Sequence, residues 1–350
     1  MKKLMTRVIC IIFVLLMLIE TGYCGESRND AEFELDPAGA TGYALIDLNL
    51  RAGPTSKSAK LGVIPAGGMF VLTGAEANTE GYLGVEYEGT TGYAFAAYIM
   101  INLPDVAPDI IYDAVNAYDS QFKSNQIEMP GLTHEALYTG KTWNARLNQD
   151  QYNMPVCYNM AKKLVSVQRE LKQSGKSLVI YEAYRPRDVQ KLVNEKLGNL
   201  MDTNASVRKL INTWGKSWFI AKSVSNHQKG YAVDITMATV TKYETHEIKG
   251  VPLDIPIEYS YDLMPTDIHE LSPKAASLAY GADSKSKTAW QTVPEANTMT
   301  DAARMLRDAC VKGGLFPLAS EWWHFNDLDA RAASGARGSG EFEITGNLSR

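Results

Sequence analysis

The chain has 350 residues, 45% of them hydrophobic and 21% charged, with a formal net charge of -5; this is ordinary globular composition, and long enough for more than one hydrophobic core. No strongly basic run follows the N-terminus, so nothing electrostatic recommends a nucleic acid or an anionic membrane as partner. Four cysteines are too few for a fold built on disulfides.

The opening MKKLMTR is a short positive region, and Val8 to Ile19 follows as an apolar stretch interrupted only by Cys10. Residues 1–25 therefore read as a secretory signal processed near Cys24 and Gly25, and the protein is expected to be exported to the cell envelope or beyond. The apolar run is shorter than the roughly 20 residues that cross a bilayer, which argues against a stable membrane span. Cys24 offers lipid attachment as an alternative, although Tyr23 is bulkier than the small residue such signals carry. Without the leader, Cys157 and Cys310 remain, each within a predicted helix, and their pairing is left open.

Between residues 40 and 102 the chain breaks into short β-prone pieces, YALIDLNLR, KLGVI, MFVLTG, YLGVEY and TGYAFAAYI, separated by GPTSKS, PAGG, EANTEG and EGTTG. About five strands punctuated in this way predict a small all-β barrel. LNLRAGPTSKSAKLGVIPAG followed by GVEYEGTTGYAFAAYI resembles bacterial SH3 domains. The resemblance implies binding of cell wall or peptide with no chemistry of its own; a spacer is the alternative.

Residues 104–330 mix helical periods with isolated strands, as in an α+β domain. Met160, Leu164, Val167 and Leu171 predict a core-facing helix that Gly175 stops. SLVIYEAY and Tyr231 to Ile235 read as strands, the second introduced by Gly230. Thr239 to Tyr261 predicts a β-hairpin beside the site, with two readings open: a lid or specificity wall, or a plain surface insertion. A helix over Asp301 to Lys312 precedes SEWWHF, and residues 331–350, rich in Gly, Ser and Ala, are expected to fray.

Two histidines stand in informative surroundings. His227, in SNHQKGYAVD, is followed by Asp234 across a glycine turn and a short strand; His324, in SEWWHF, follows Glu321 by three residues. Imidazole and carboxylate are both good zinc ligands, and three protein ligands leave a fourth position open for water. Glu321 would then be the catalytic base. In a regular strand, residues three apart point to opposite faces, so a bulge or strand end is predicted at Glu321. Arg185, at the end of SLVIYEAY and before Pro186, places a fixed cation where an oxyanion develops, a contribution of about 3–4 kcal/mol for a comparable donor. Trp322 and Trp323 read as packing residues, and His134, His246 and His269 as surface histidines.

YEAYRP, SNHQKGYAVD and SEWWHF, in this order, resemble the D-alanyl-D-alanine dipeptidase and carboxypeptidase family of zinc peptidases. The resemblance implies one zinc per chain on His227, Asp234 and His324, Glu321 as catalytic base and Arg185 for transition-state stabilisation, acting on peptidoglycan-derived peptides. TGKTWNARL and MPTDIHELSP look most like the dipeptidase branch. There the family tends to carry Phe-Asp where this chain has Ile268-His269, so the acid near the substrate ammonium is displaced; Asp267 or Glu270 is the expected substitute. The alternatives are a D,D- or L,D-carboxypeptidase or endopeptidase on muropeptides, and a non-catalytic zinc-containing wall-binding protein.

Overall fold

The computed structural model describes residues 33–76, 80–222, 224–335 and 340–344. The expected leader and its cleavage or lipidation at Cys24 lie outside them. No helix among the described residues is long and apolar enough to cross a membrane.

The first region forms seven strands: β1 (Thr41–Ala44), β2 (Leu48–Arg51), β3 (Lys60–Ile64), β4 (Met69–Glu76), β5 (Tyr82–Tyr87), β6 (Thr90–Phe95) and β7 (Ile99–Asn102). Five were expected. The first predicted piece bends at Leu45 to Asp47 and becomes two strands, with the Asp47 carboxylate accepting Ala66 N–H at 3.0 Å. Period-two alternation then does the sorting, since Leu48 and Leu50 are buried while Asn49 and Arg51 are half-buried. Glu88 and Gly89 turn β5 into β6 with φ of 48° and 76°, the positive-φ pair that a two-residue hairpin demands.

Downstream come β8 (Ile111–Tyr112), the small ladders β9 (Lys123–Ser124) with β10 (Ile127–Glu128) and β11 (Thr142–Asn144) with β12 (Gln149–Gln151), and β13 (Pro155–Cys157). β13 does not belong to a separate sheet. It pairs antiparallel with β7, Val156 opposite Ile101, so the barrel's edge is continued by a strand from the second region. Ile101, Val156 and Leu164 fall in one continuous core, and the described residues form one compact unit. At the junction the buried Asp105 accepts from Thr41 N, Asn102 Nδ2 and Asn144 Nδ2 at 2.8, 3.0 and 2.6 Å. Such a carboxylate, buried but fully hydrogen-bonded, fixes the two regions together.

The second region carries α1 (Tyr158–Lys172), β14 (Lys176–Glu182), α2 (Arg187–Thr203), α3 (Ala205–Ile211), β15 (Ala232–Ile248), β16 (Val251–Tyr261), α4 (Asp301–Lys312), β17 (Phe316–Leu318), β18 (Glu321–Asn326) and α5 (Leu328–Ser334). The strands order as β17-β18-β15-β14-β8, with β16 paired to β15. α1 buries the predicted stripe of Met160, Leu164, Val167 and Leu171, and Gly175 follows it at φ 68°. α4 is capped by Thr300, whose hydroxyl accepts Ala303 N–H at 3.1 Å.

Three expectations change. Cys157 ends β13 rather than lying within a helix, and both it and Cys310 are buried free thiols. The hairpin of β15 and β16 is present, but its distal end packs Leu253 with Ile248, Val251 and Ile255 against Leu35 and Leu147, away from the site, so it is no lid. Nor are residues 340–344 frayed: Phe342 and Ile344 are buried, and Tyr184 stacks on Phe342 and donates its hydroxyl to the Phe342 carbonyl at 3.0 Å, while residues 336–339 and 345–350 of the expected tail lie outside the described residues. Two apolar side chains in a Gly/Ser/Ala-rich stretch suffice to dock it.

Candidate metal centre

The site is built where three neighbouring strands come level. Asp234 on β15 lies directly opposite His324 on β18 and opposite Glu182 on β14. Adjacent side chains on paired strands stand about 5 Å apart at Cβ, so this register alone brings one imidazole and two carboxylates together. His227 arrives from the turn before β15. Asn226 donates to Asn326 Oδ1 at 2.7 Å, and Gly230 closes the turn at φ 71°. A Cβ on Gly230 would lie 2.7 Å from Met100 Sδ, so both backbone angle and space require glycine there.

The predicted irregularity at Glu321 is present. One step along β17, from Pro317 to Leu318, spans four residues on β18, from Phe325 to Glu321. The resulting bulge lets Glu321 and His324 face the same way, with Glu321 Oε2 3.7 Å from His324 Nδ1.

The donor atoms form a tight triangle. His227 Nε2 lies 3.1 Å from His324 Nδ1, and these nitrogens lie 3.2 and 3.0 Å from Asp234 Oδ1. The outer nitrogens settle the proton positions. His227 Nδ1 is 2.9 Å from the Ala183 carbonyl, and His324 Nε2 is 3.3 Å from Asn326 Oδ1, which already accepts from Asn226. Each outer nitrogen must therefore donate, and in the neutral rings both inner nitrogens turn a lone pair toward the carboxylate oxygen. Three lone pairs in contact call for a cation. A proton on His324 is one answer: burial opposes it, but the bond to Asp234 raises that imidazole above its usual range. A divalent ion is the other, and zinc bonds of about 2.0–2.1 Å in a tetrahedron set donors about 3.3 Å apart, close to the spacing seen. The residues present fit zinc. His227 is lowered by burial first, which keeps its ring in the ligating form.

Arg185 lies behind Asp234. It donates Nε to Glu182 Oε2 at 2.8 Å, Nη2 to the same oxygen and to Asp234 Oδ2 at 2.9 Å, and Nη1 to Gln190 at 2.9 Å. Of the five N–H groups of a guanidinium, one on Nη1 is left. Burial disfavours this cation, but Glu182 and Asp234 outweigh it and raise its pKa further. Burial also drives Glu321 up to about 8, with His324 pulling the other way. Arg185, Glu321, His227, Asp234 and His324 all line a cavity of about 250 Å³, together with Trp323.

Residues 46–100 match the bacterial SH3 domain family. No curated protein matches the chain. Among solved structures, the chain is similar to VanY, the vancomycin resistance D,D-pentapeptidase of the VanB-type resistance cassette, solved as a mutant in complex with Zn(II). The TM-score is 0.27 and the identity 15%, over 61% of this chain and 89% of that one. VanYB in complex with D-alanine-D-alanine aligns with the same score and identity, over 61% of this chain and 88% of that one. A likeness of that degree leaves the site to be read from its own residues.

The structure thus brings together all five residues singled out from the sequence. Trp322 and Trp323 are buried and pack edge to face at 5.3 Å, with Trp323 also lining the cavity. His134 and His246 are exposed. His269 is not: it is 1% exposed, and its Nε2 lies 3.2 Å from Asp234 Oδ2. Neither expected substitute for the displaced acid reaches the cavity. Asp267 is exposed beside a different cleft, and the buried Glu270 is spent on Asn125 N, Gln126 N and Ser272 Oγ at 2.5, 2.9 and 2.6 Å. Glu182, also missed, stands three residues before Arg185 in YEAYRP, a buried charged residue that directly follows the run Leu178 to Tyr181. That contrast was the available signal.

Proposed function

We propose that the chain is a zinc-dependent peptidase, one zinc per chain, that hydrolyses a D-alanine-containing bond in peptides derived from peptidoglycan. The observation that carries this reading is the convergence of three lone pairs from His227, Asp234 and His324 beside a buried Glu321, 3.7 Å from His324 Nδ1, and a fixed Arg185. His227, Asp234 and His324 would hold the ion. When bound there it would polarise a water molecule and the peptide carbonyl. Glu321, as the carboxylate, can take a proton from water and return it to the leaving amine. The remaining Nη1 proton of Arg185 can meet the oxygen on which charge develops. The SH3-like barrel, locked to the catalytic region through β13, would hold the cavity against the wall of an exporting cell.

One observation favours carboxypeptidase or endopeptidase action over dipeptidase action. Among the described residues, the acidic ones lining the cavity are Asp234 and Glu321, the first held by Arg185 and the second needed as base. Neither is spare to neutralise a free α-ammonium next to the scissile bond, so a longer peptide, with its amine farther off, suits the cavity better. The test is a panel of D-alanyl-D-alanine, pentapeptide stems and intact muropeptides, digested with and without a chelator and read by mass. Release of terminal D-alanine from pentapeptide, abolished by chelation and restored by zinc, is expected. No cleavage of any member refutes the enzyme reading, and preference for the free dipeptide refutes the choice within it.

A further inference from the structure

His269 has no role in the chemistry above, yet the fold goes to some length to place it. Its backbone is in the left-handed region at φ 60°, which non-glycine residues adopt only under constraint. The constraint is visible on both sides. Its carbonyl accepts Lys123 N–H at 3.1 Å, and Glu270, next in the chain, clamps the backbone of residues 125 and 126. The imidazole lies flat on Phe122, with ring centroids 4.2 Å apart and planes 9° apart, and Trp323 meets it edge-on at 6.1 Å. Nε2 faces carboxylates, Asp234 Oδ2 at 3.2 Å and Glu182 Oε2 at 3.7 Å, and so carries the proton; Nδ1 has no hydrogen-bonding partner among the described residues.

Glu182, Asp234 and His269 could themselves be taken for a second metal site, since their donor atoms all lie within 4.8 Å of one another. That place is filled. Arg185 Nη2 already donates to both Glu182 Oε2 and Asp234 Oδ2, so a cation sits among these groups and a metal ion would have to displace it.

The two oxygens of Asp234 are therefore divided. Oδ1 faces His227 and His324, while Oδ2 accepts from Arg185 at 2.9 Å and from His269 at 3.2 Å. We infer that His269 is a positioning residue for the metal centre: with Arg185 it holds Oδ2 back, so that Asp234 offers the metal Oδ1 alone and the fourth position stays open. The inference rests on the zinc reading and deepens it. One donor would leave the carboxylate free to pivot about the Arg185 bond and present both oxygens; two donors from different segments fix its plane.

The experiment compares zinc affinity, by competition with a chromophoric chelator, and the visible spectrum of the cobalt(II)-substituted protein, in the full chain and its variants. Wild type is expected to bind one zinc and to give the intense bands of a four-coordinate cobalt ion. H269F keeps the aromatic volume without the donor; it should lose about 10- to 100-fold in zinc affinity and show the weaker bands of a higher coordination number. H269Q, which can still donate to Asp234, should restore both. H269N tolerates the left-handed backbone but is too short to reach Asp234; it should behave as H269F and stands in should H269F not fold. Wild-type affinity and an unchanged cobalt spectrum in H269F or H269N overturn this inference while leaving the zinc site standing. Failure of the wild type to bind zinc overturns both.

Discussion

Replacing Glu321 with glutamine separates metal binding from proton transfer. The geometry sets both magnitudes. Glu321 Oε2 is 3.7 Å from His324 Nδ1, outside the 3.0–3.2 Å triangle of the donors themselves, so zinc content should not change. Glutamine fills the same buried volume but cannot accept a proton, and loss of a positioned general base lowers rates by about 10²–10⁴-fold. At 1.36 kcal/mol per decade, that is a barrier higher by about 3–5 kcal/mol. The assay is the rate of D-alanine release from a pentapeptide stem, with zinc per chain measured on the same preparation. E321Q that hydrolyses at the wild-type rate removes Glu321 from the mechanism. E321Q that loses zinc together with activity makes it a ligand, and the donor triangle the wrong description of the site.

Glu321 also carries a pH signature in the metal-free protein. Burial raises its carboxyl from 4.5 to about 8, so its contribution to stability is complete below about 4.5 and is lost as pH rises through about 8. The melting temperature of metal-free E321Q should gain on wild type as pH goes from 5 to 9, and a constant difference would contradict the assignment. Arg185→Leu leaves Glu182 and Asp234 buried without their cation, a loss of about 3–5 kcal/mol that should appear in denaturant unfolding of the metal-free chain; unfolding at the wild-type midpoint would show the guanidinium to be dispensable to the fold. Burial pushes the thiols of Cys157 and Cys310 up, so iodoacetamide at pH 8 should label both only after denaturation. Labelling of either in the native protein, located by peptide mass, would place it at the surface.

Local signals carried the parts of the fold that depend on local chemistry. The helix over Met160 to Leu171 was legible because a stripe and its glycine stop suffice to define it, and the barrel because turns and alternation recur every few residues. The pairing of β13 with β7 was not legible: three residues, Pro155 to Cys157, carry no period, and only the finished edge of the barrel gives them a partner. The same divide runs through the site. His227, Asp234, Glu321 and His324 stand beside motif residues that give them away, including the glycine that turns the chain before β15. His269 has no such neighbours. Its side chain reaches Asp234 across 35 residues of sequence because its backbone is held left-handed by hydrogen bonds from Lys123 and through Glu270, and neither constraint leaves a periodic trace. A histidine between an isoleucine and a glutamate reads as a surface residue until the structure shows which carboxylate it faces. Its burial against Asp234, in the position where an acid was expected, leaves that carboxylate held by two donors, Arg185 and His269. One of those two donors is the imidazole, so substituting it should move metal coordination, which zinc affinity reads.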